Sequence, residues 1–524
     1  MPVGRVTDAL RAAGRTAACA IAAAVEMLID LLMRDRRSRV LLLAPGFEGL
    51  RWRLGRLRAV ATAGRARRQV PAYANHLAAH GVGPHRVWRF ADLPETDKAS
   101  YVVGRRLEQL CRHGRLPRRG VVLDESSGSS GTPTSWVRGP AERRATARLL
   151  RTTFARGLED GPAVVLNAFS LGAWATGLNV TMALASSCRI KSTGPDLDKV
   201  IHTVQELGHE YRYVVLGYPP FLKDLADDPR IDLTAYDVTA GFGGEGLSEN
   251  MRTYLLRSYR QVKGSYGASD LEINLAAESD FTIALRRELA DNADLRMALL
   301  EHPDAPLPMI FQYNPLDYVV ETNAAGELVV TVCRAANLSP RIRYNIHDVG
   351  HVVRMPALTR LLRRHGADHL LVDRVLDLPL LFHYGRSDAS VDFYGAVVTP
   401  DELRDALYAE PELADRMREF RLICWEDEAA ASHLLWAVEL RPGGDPAELD
   451  ATDLTTRLNA RLAARNGDLA NACRVAPAAN QPLLRVFPAD TGPFEDAAGL
   501  KFRYVSRIDA ATARGYGLTG AARP

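Results

Sequence analysis

The sequence predicts an α/β protein of two domains, a large N-terminal one and a small C-terminal one. Three observations carry that prediction. Apolar, strand-like runs alternate with helix-period stretches between residues 141 and 260, as in a parallel sheet flanked by helices. A second, shorter alternation of helices and strands follows Pro400. The chain, at 524 residues, is long enough to bury a large core and to divide.

Composition narrows the class further. With 47% hydrophobic and 25% charged residues and a formal net charge of +3, the chain reads as soluble and globular, without the strong basic field of a nucleic-acid binder. The cysteines Cys19, Cys111, Cys188, Cys333, Cys424 and Cys473 are scattered, with no C-x-x-C pair. That pattern argues against a zinc or disulfide scaffold and fits a reducing, cytoplasmic setting.

Residues 1–64 form an Ala- and Arg-rich extension that reads as helical. Thr16 to Val25 lacks charge, but Glu26 and Asp30 interrupt it. The run is too short for a membrane span, which needs about 20 apolar residues. Arg5, Arg11 and Arg15 ahead of it imitate a secretory leader, yet no polar cleavage region follows. An amphipathic helix packed on the body or on a partner is the better expectation. The arginines from Arg34 to Arg68 read as a solvated face, with contact to an anionic surface as the alternative.

The most informative stretch is Val121 to Trp136, VVLDESSGSSGTPTSW. An apolar strand end leads into a tract of hydroxyl residues and glycines closed by Pro133. Glycine permits positive φ, so successive N–H groups can line one concavity, and the Ser and Thr hydroxyls add donors. Such a loop can cradle phosphates. It is not a Walker loop, because no Gly-Lys-Ser/Thr follows. A flexible linker is the plain alternative.

Downstream, Ala141–Leu158 reads as a helix and Val164–Phe169 as a strand. The segment Phe169 to Gly177 mixes aromatics with glycines, giving an apolar wall or ordinary core. Asp196 is an N-cap for a helix carrying Leu197, Val200, Ile201, Val204 and Leu207. Tyr213–Leu216 is a strand ending at Gly217–Tyr218–Pro219. Gly241–Phe242–Gly243–Gly244–Glu245–Gly246 follows a strand at Val238–Ala240 and precedes a helix through Met251, Tyr254, Leu255 and Tyr259. It matches G-x-G-x-x-G, with Asp270 beyond, and so admits a nicotinamide-dinucleotide reading. Glu327–Val332 is a strand. Residues 275–308 read as a charged helical stretch that shapes an acceptor side or an oligomer contact. In the C-terminal part, helices are expected near Glu402–Tyr408 and Leu413–Phe420, and strands at Leu422–Trp425 and Leu434–Leu440.

A series of motifs in one order extends this reading. Ser126–Ser127–Gly128–Ser129–Ser130–Gly131–Thr132–Pro133–Thr134 resembles the phosphate-binding loop of the adenylate-forming enzymes, the acyl-CoA synthetases, peptide-synthetase adenylation domains and luciferases. Ser129 and Ser130 stand where that family often has Thr. Gly243–Gly244–Glu245 resembles its G-x-E segment beside the adenine. Gly264–Ser265–Tyr266–Gly267–Ala268–Ser269–Asp270 resembles Y-G-x-[ST]-[ED]. Arg343 to Gly350 resembles R-Y-x-x-x-D-x-G, and Gly385–Arg386–Ser387–Asp388 resembles G-R-x-D. Gly499–Leu500–Lys501–Phe502–Arg503 is similar to the surroundings of the family's catalytic lysine, with Leu500 inserted. Residues 65–102, with the "vP-Y" and "dLP…K" steps, resemble the phenylacetate-CoA ligase branch.

The resemblance implies a large N-terminal domain, 1–383, that binds ATP and the acid. A small mobile α/β lid, 384–524, turns about the hinge Asp388. It implies that Ser126 to Thr132 wrap the phosphates, Tyr266 stacks on adenine beside Gly267, Ser269 meets the α-phosphate, and Asp270 holds Mg²⁺. Many members have Glu at that last place, and many have Asp where Ala389 stands. Asp348 would hold the ribose, Arg386 the ribose and phosphate, and Lys501 with Thr132 would act in catalysis. Phe169, Trp174, Tyr218 and Phe242 would line the acid pocket. The expected reaction is adenylation of a small carboxylic acid by ATP, then transfer to coenzyme A. Alternatively an oxyacid such as nitrite, or an amino or aryl acid, is activated for transfer to an amine. A homodimer is compatible with this, as is a catalytically dead adenylate binder. No membrane span and no nucleic-acid partner are expected.

Overall fold

The computed structural model describes residues 20–21, 23–29, 31–33, 35–83, 90–126, 134–159, 163–300, 307–371, 375–387, 390–495 and 504–518. Two compact units emerge. The first comprises Met1–Asp124, Ser135–Thr153 and Ser265–Gly385; the second comprises Glu125–Thr134, Phe154–Gly264 and Arg386–Pro524. The strands β1 (Val122–Ser126) and β2 (Thr134–Arg138) form a two-stranded ribbon.

In the second unit, β3 (Ala163–Asn167), β4 (Arg189–Ser192), β5 (Arg212–Gly217) and β6 (Asp237–Gly243) run parallel in the order β6-β5-β3-β4. Every residue of β3 is buried, as expected of a strand covered on both faces. Helices Ala175–Leu184, Leu197–Leu207 and Pro219–Asp227 make the connections. Asp196 caps the second of these as predicted, its carboxylate accepting the Lys199 N–H at 3.0 Å, while Val200, Ile201 and Val204 face inward.

The same unit carries the C-terminal elements. The hairpin β14 (Val391–Phe393) and β15 (Ala396–Val398) is numbered after the first unit's strands, β7 to β13. It turns on Tyr394 and Gly395, both at positive φ (48° and 84°), the pair of conformations that suits a tight two-residue hairpin. A sheet follows in the order β18-β17-β16-β19, from β16 (Met417–Glu426), β17 (Ser432–Leu440), β18 (Leu483–Phe487) and β19 (Val505–Arg507). Helices Pro400–Tyr408, Ala451–Arg465 and Gly467–Val475 bury Leu403, Leu407, Leu454, Leu458, Leu462 and Leu469 in one core with Trp436.

One expected element is corrected here. The helix expected near Leu413–Phe420 is only the short turn Pro411–Ala414, and Met417 already begins β16. The register Met417↔Leu440 through Glu426↔Ser432 makes one long antiparallel pair. Pairing with a strongly apolar partner strand outweighs the local helical tendency of Arg416 to Phe420.

In the first unit, β7 (Gln261–Tyr266), β8 (Ala276–Ala277), β9 (Met309–Tyr313), β10 (Tyr318–Thr322), β11 (Glu327–Val332), β12 (Tyr344–Val353) and β13 (Leu380–Arg386) follow the order β10-β11-β12-β13-β9-β8-β7. The chain passes between the units inside β7, at Gly264–Ser265, and again at Gly385–Arg386. Residues 280–299, read as charged and helical, form helices Asp280–Asp291 and Ala293–Leu299. Their apolar faces (Phe281, Leu285, Leu289, Leu295) cover Ile310, Leu380 and Phe382 of the sheet together with Leu358 and Leu362. The stretch is therefore a layer of the core, with Asp280, Arg287, Asp291 and Asp294 exposed and Arg286 buried, donating to the Leu307 carbonyl at 3.1 Å.

Candidate active site

In the first unit, Tyr266, Gly267, Ser269, Asp270 and Asp348 come together. Tyr266 ends β7 and donates its hydroxyl to Asp348 Oδ2 at 2.6 Å. The Tyr266 ring has Phe311 (centroids 5.7 Å) and His383 (5.1 Å) beside it, both tilted, and His383 Nε2 is 3.5 Å from the same Asp348 oxygen. Asp348 is thus presented from β12 by a tyrosine and a histidine.

After Tyr266 the chain turns sharply. A Cβ on Gly267 would sit 2.3 Å from the Glu272 carbonyl oxygen and 2.5 Å from the Ile273 carbonyl carbon. Only glycine fits that approach of backbone to backbone. The turn it permits carries Ser269 and Asp270, and arginine holds it on both sides. Arg138 donates from Nη1 to the Leu271 carbonyl at 2.7 Å and from Nη2 to the Ser269 carbonyl. Its Nε meets Asp124 Oδ2 at 3.1 Å, with both side chains buried. Arg341 Nε donates to the Asp270 carbonyl at 2.6 Å. The Arg341 guanidinium lies over the Trp136 and Tyr344 rings, 4.8 and 5.7 Å from their centroids, and burial lowers its pKa.

The metal question falls on Asp270. Tyr344 donates its hydroxyl to Asp270 Oδ2 at 3.1 Å. The nearby Glu272 is engaged by Tyr318 and Arg334. Among the described residues no group of three or more His, Cys, Asp or Glu could hold a metal. One half-buried carboxylate is what Mg²⁺ uses when phosphates and water supply the remaining oxygens. Asp270 therefore fits a cation brought with a nucleotide, and does not fit a resident all-protein site.

In the second unit, Phe169 and Tyr218 meet beside the Gly243–Glu245 segment, whereas Phe242, paired with Gly217 in the sheet, lies under the Arg252 guanidinium at 5.6 Å. Tyr218 meets the Phe169 ring edge-on at 5.2 Å, and burial raises its hydroxyl pKa. Two glycines clasp the Tyr218 ring. A Cβ on Gly244 (φ 84°) would come within 2.9 Å of it, and one on Gly395 (φ 84°) within 2.5 Å. Gly243 is the last residue of β6, so the G-x-G residues are strand and turn here. Glu245 accepts the Gly395 N–H. Burial pushes the Glu245 carboxyl up to about 8, helped by the like charge of Asp392 and opposed by the Gly395 N–H. Trp174 stands at the N-cap position of the helix Ala175–Leu184, and a Cβ on Gly467 would lie 3.7 Å from its ring. Ser170 hydrogen-bonds the Tyr218 hydroxyl and accepts from Asn471 Nδ2 at 2.8 Å. The aromatic group therefore contains a polar string. Arg386 is half-buried at the end of β13.

Several expected residues are not covered. Ser127, Gly128, Ser129, Ser130, Gly131, Thr132, Asp388 and Lys501 lie outside the described residues, and of Ser126 only its strand position is described. Conversely, sequence reasoning missed Arg138, Arg341, His383 and Asn471. His383 did carry a signal, since it is a polar residue following the apolar run Leu380–Phe382 within a strand (LLFHYGR), and Arg138 a weaker one, as a charge directly after Trp136 and Val137. Asn471 had none.

No protein-family profile matches the chain, and no curated protein does. Solved structures do match. A 2-hydroxyisobutyryl-CoA ligase in complex with 2-HIB-AMP and CoA, in its thioesterification state, aligns with a TM-score of 0.62 over 91% of this chain and 92% of that one, at 14% identity. The same ligase in its postadenylation state gives 0.50 over 89% and 92%, also at 14% identity. A chain that follows such a structure over nine-tenths of both lengths shares its architecture. This protein has the fold of the adenylate-forming enzymes.

Proposed function

We propose that the protein is an ATP-dependent ligase that adenylates a small carboxylic acid and transfers the acyl group to coenzyme A. One observation carries this reading. Arg138 ties the Ser269–Asp270 turn to Asp124 at the base of the Ser/Gly loop, in the unit where Tyr266 presents Asp348. Asp124, on the strand that leads into the Ser/Gly loop, thereby shares one unit with a carboxylate suited to a metal-bound phosphate and one suited to a ribose. The fold shared with a CoA ligase supports the choice of acceptor.

In the first half-reaction the acid's carboxylate oxygen attacks the α-phosphorus of ATP. The bond from that phosphorus to the β-bridging oxygen breaks, giving acyl-AMP and pyrophosphate. The protein's part is positioning and charge neutralisation. Asp348 accepts the ribose hydroxyls and Tyr266 stacks on the adenine, with Glu245 beside it. N–H and hydroxyl groups of residues 126–132 cradle the phosphates. Lys501 and Arg386 supply cations to the oxygens that gain charge. Asp270 would hold a Mg²⁺ brought with ATP, which would neutralise phosphate charge. In the second half-reaction the lid 384–524 turns at Asp388. The CoA thiol then attacks the acyl carbonyl, and AMP leaves as the mixed anhydride breaks. Phe169, Trp174, Tyr218 and Phe242 favour an acid with an apolar or aromatic body.

The test is acid-dependent exchange of pyrophosphate into ATP across aryl, fatty and amino acids and nitrite. Exchange with one acid, followed by CoA-dependent thioester formation, supports the whole reading. Exchange without thioester, but with amide formed from an added amine, moves the acceptor to an amine. Absence of ATP binding refutes it.

A further inference from the structure

The N-terminal extension presents a surface that the adenylation chemistry does not use. Residues 1–70 hold fourteen arginines, no lysine and five carboxylates, a balance of +9, whereas the whole chain carries +3. Two of these arginines serve the fold. Arg51 pairs with Asp377 at 3.1 Å, and Arg58 donates to the Leu316 carbonyl at 2.8 Å. Others point outward: Arg37, Arg53 and Arg56 are exposed.

The described helical residues 20–21, 23–29 and 31–32 are apolar on two sides. Their inner side anchors them through Ile29, with Met33 just beyond, against Leu316, and Glu26 accepts the Ala335 N–H at 2.5 Å. Their outer side is Ile21, Ala24, Met27, Leu28 and Leu31, at helical spacing and all exposed, Met27 by 73%. Leu41, Phe47, Leu50 and Leu57 are also exposed. On the helix Glu48–Gln69, Leu50, Arg53 and Leu57 share one face. Long aliphatic side chains interleaved with arginines, with Asp35 the one exposed acid among the described residues from 20 to 57, are the composition of an interfacial lipid-binding surface.

We propose that the face formed by residues 21–57 docks on the surface of an anionic lipid bilayer. The arginines meet the phosphate headgroups, and Met27, Leu28, Leu31 and Leu50 enter the acyl boundary. Among the described residues no helix is long and apolar enough to cross a membrane, so the contact is peripheral. A second copy of the chain is a poor occupant, because two such basic faces repel. A nucleic acid offers phosphates but no apolar phase for the leucines. The proposal stands independently of the reaction.

The experiment is sedimentation of the full chain with vesicles of phosphatidylcholine alone, or of phosphatidylcholine with phosphatidylglycerol, at low and high salt. The expected result is binding to the phosphatidylglycerol vesicles, weakened by salt. Each neutralised arginine lowers partitioning about fivefold, so the pair Arg53→Gln and Arg56→Gln lowers it on the order of 20-fold. The pair Leu28→Asp and Leu31→Asp, both on the exposed side, abolishes binding while leaving the circular dichroism spectrum unchanged. Failure of the folded chain to bind anionic vesicles at low salt overturns the proposal and makes an acidic protein face the better ligand. Variants that sediment like the native chain overturn it too, as does a concentration-dependent dimer that the leucine pair dissociates.

Discussion

Arg138 and Asp124 form a buried ion pair, Nε to Oδ2 at 3.1 Å, across the base of the ribbon that carries the Ser/Gly loop. The same guanidinium reaches the carbonyls of Ser269 and Leu271. One side chain therefore couples the foot of the ribbon to the turn that bears Asp270. Replacing Arg138 by Met leaves Asp124 buried and without this partner, which costs about 3–5 kcal/mol. Chemical denaturation checks this. Arg138→Lys recovers only part of the loss, because an ammonium cannot reproduce a planar three-way contact.

Gly267→Ala drives a methyl group into the Glu272 and Ile273 backbone. Relieving that overlap moves the turn or strains it, at a cost of about 1–3 kcal/mol. Pyrophosphate exchange should fall more than stability alone explains, because Ser269 and Asp270 move with the turn. A variant with wild-type exchange would refute the positioning role.

Asp348→Asn removes the charge from the acceptor that Tyr266 and His383 present. A charge-assisted hydrogen bond contributes about 1.5–3 kcal/mol, so the KM for ATP in the exchange assay should rise by roughly 10- to 100-fold. The KM for the acid should change little. Equal effects on both would point to general damage instead.

Lys501→Ala should abolish adenylation while thiolysis of supplied acyl-AMP persists. Loss of both half-reactions to the same degree would remove the lysine from the adenylation step.

The Glu245 carboxyl, raised to about 8 from an ordinary 4.5, makes stability pH-dependent. In the folded state it keeps its proton across a range where the unfolded chain has lost it. Stability from this group is therefore full below about pH 4.5 and declines as pH rises through 8. Asp224, raised to about 7 chiefly by burial, acts in the same direction from 3.8 upward. Glu245→Gln preserves an acceptor for the Gly395 N–H and should flatten the slope of the denaturation midpoint between pH 5 and 8 (about the window set by the two carboxyls). An unchanged slope would assign the dependence elsewhere.

The sequence by itself determined what depends on near neighbours. The β/α alternation of residues 163–243, the Asp196 cap, the β11 strand and the order of the adenylate-forming motifs were legible, because periodicity and turn chemistry are local. Gly267 was legible as part of a motif, but its reason, contact with the Glu272 carbonyl, was not. Only the tertiary structure decided which side chains meet. Tyr266 finds Asp348 across 82 residues, Arg138 finds Leu271 across 133, and Asn471 finds Ser170 across 301. It also decided that Met417–Phe420 is strand, since pairing with β17 outweighs a helical tendency spread over a few residues. The physical reason is the same throughout. Local preferences amount to tenths of a kcal/mol per residue, whereas burying and pairing polar groups involves several, and sheet register and packing choose their partners.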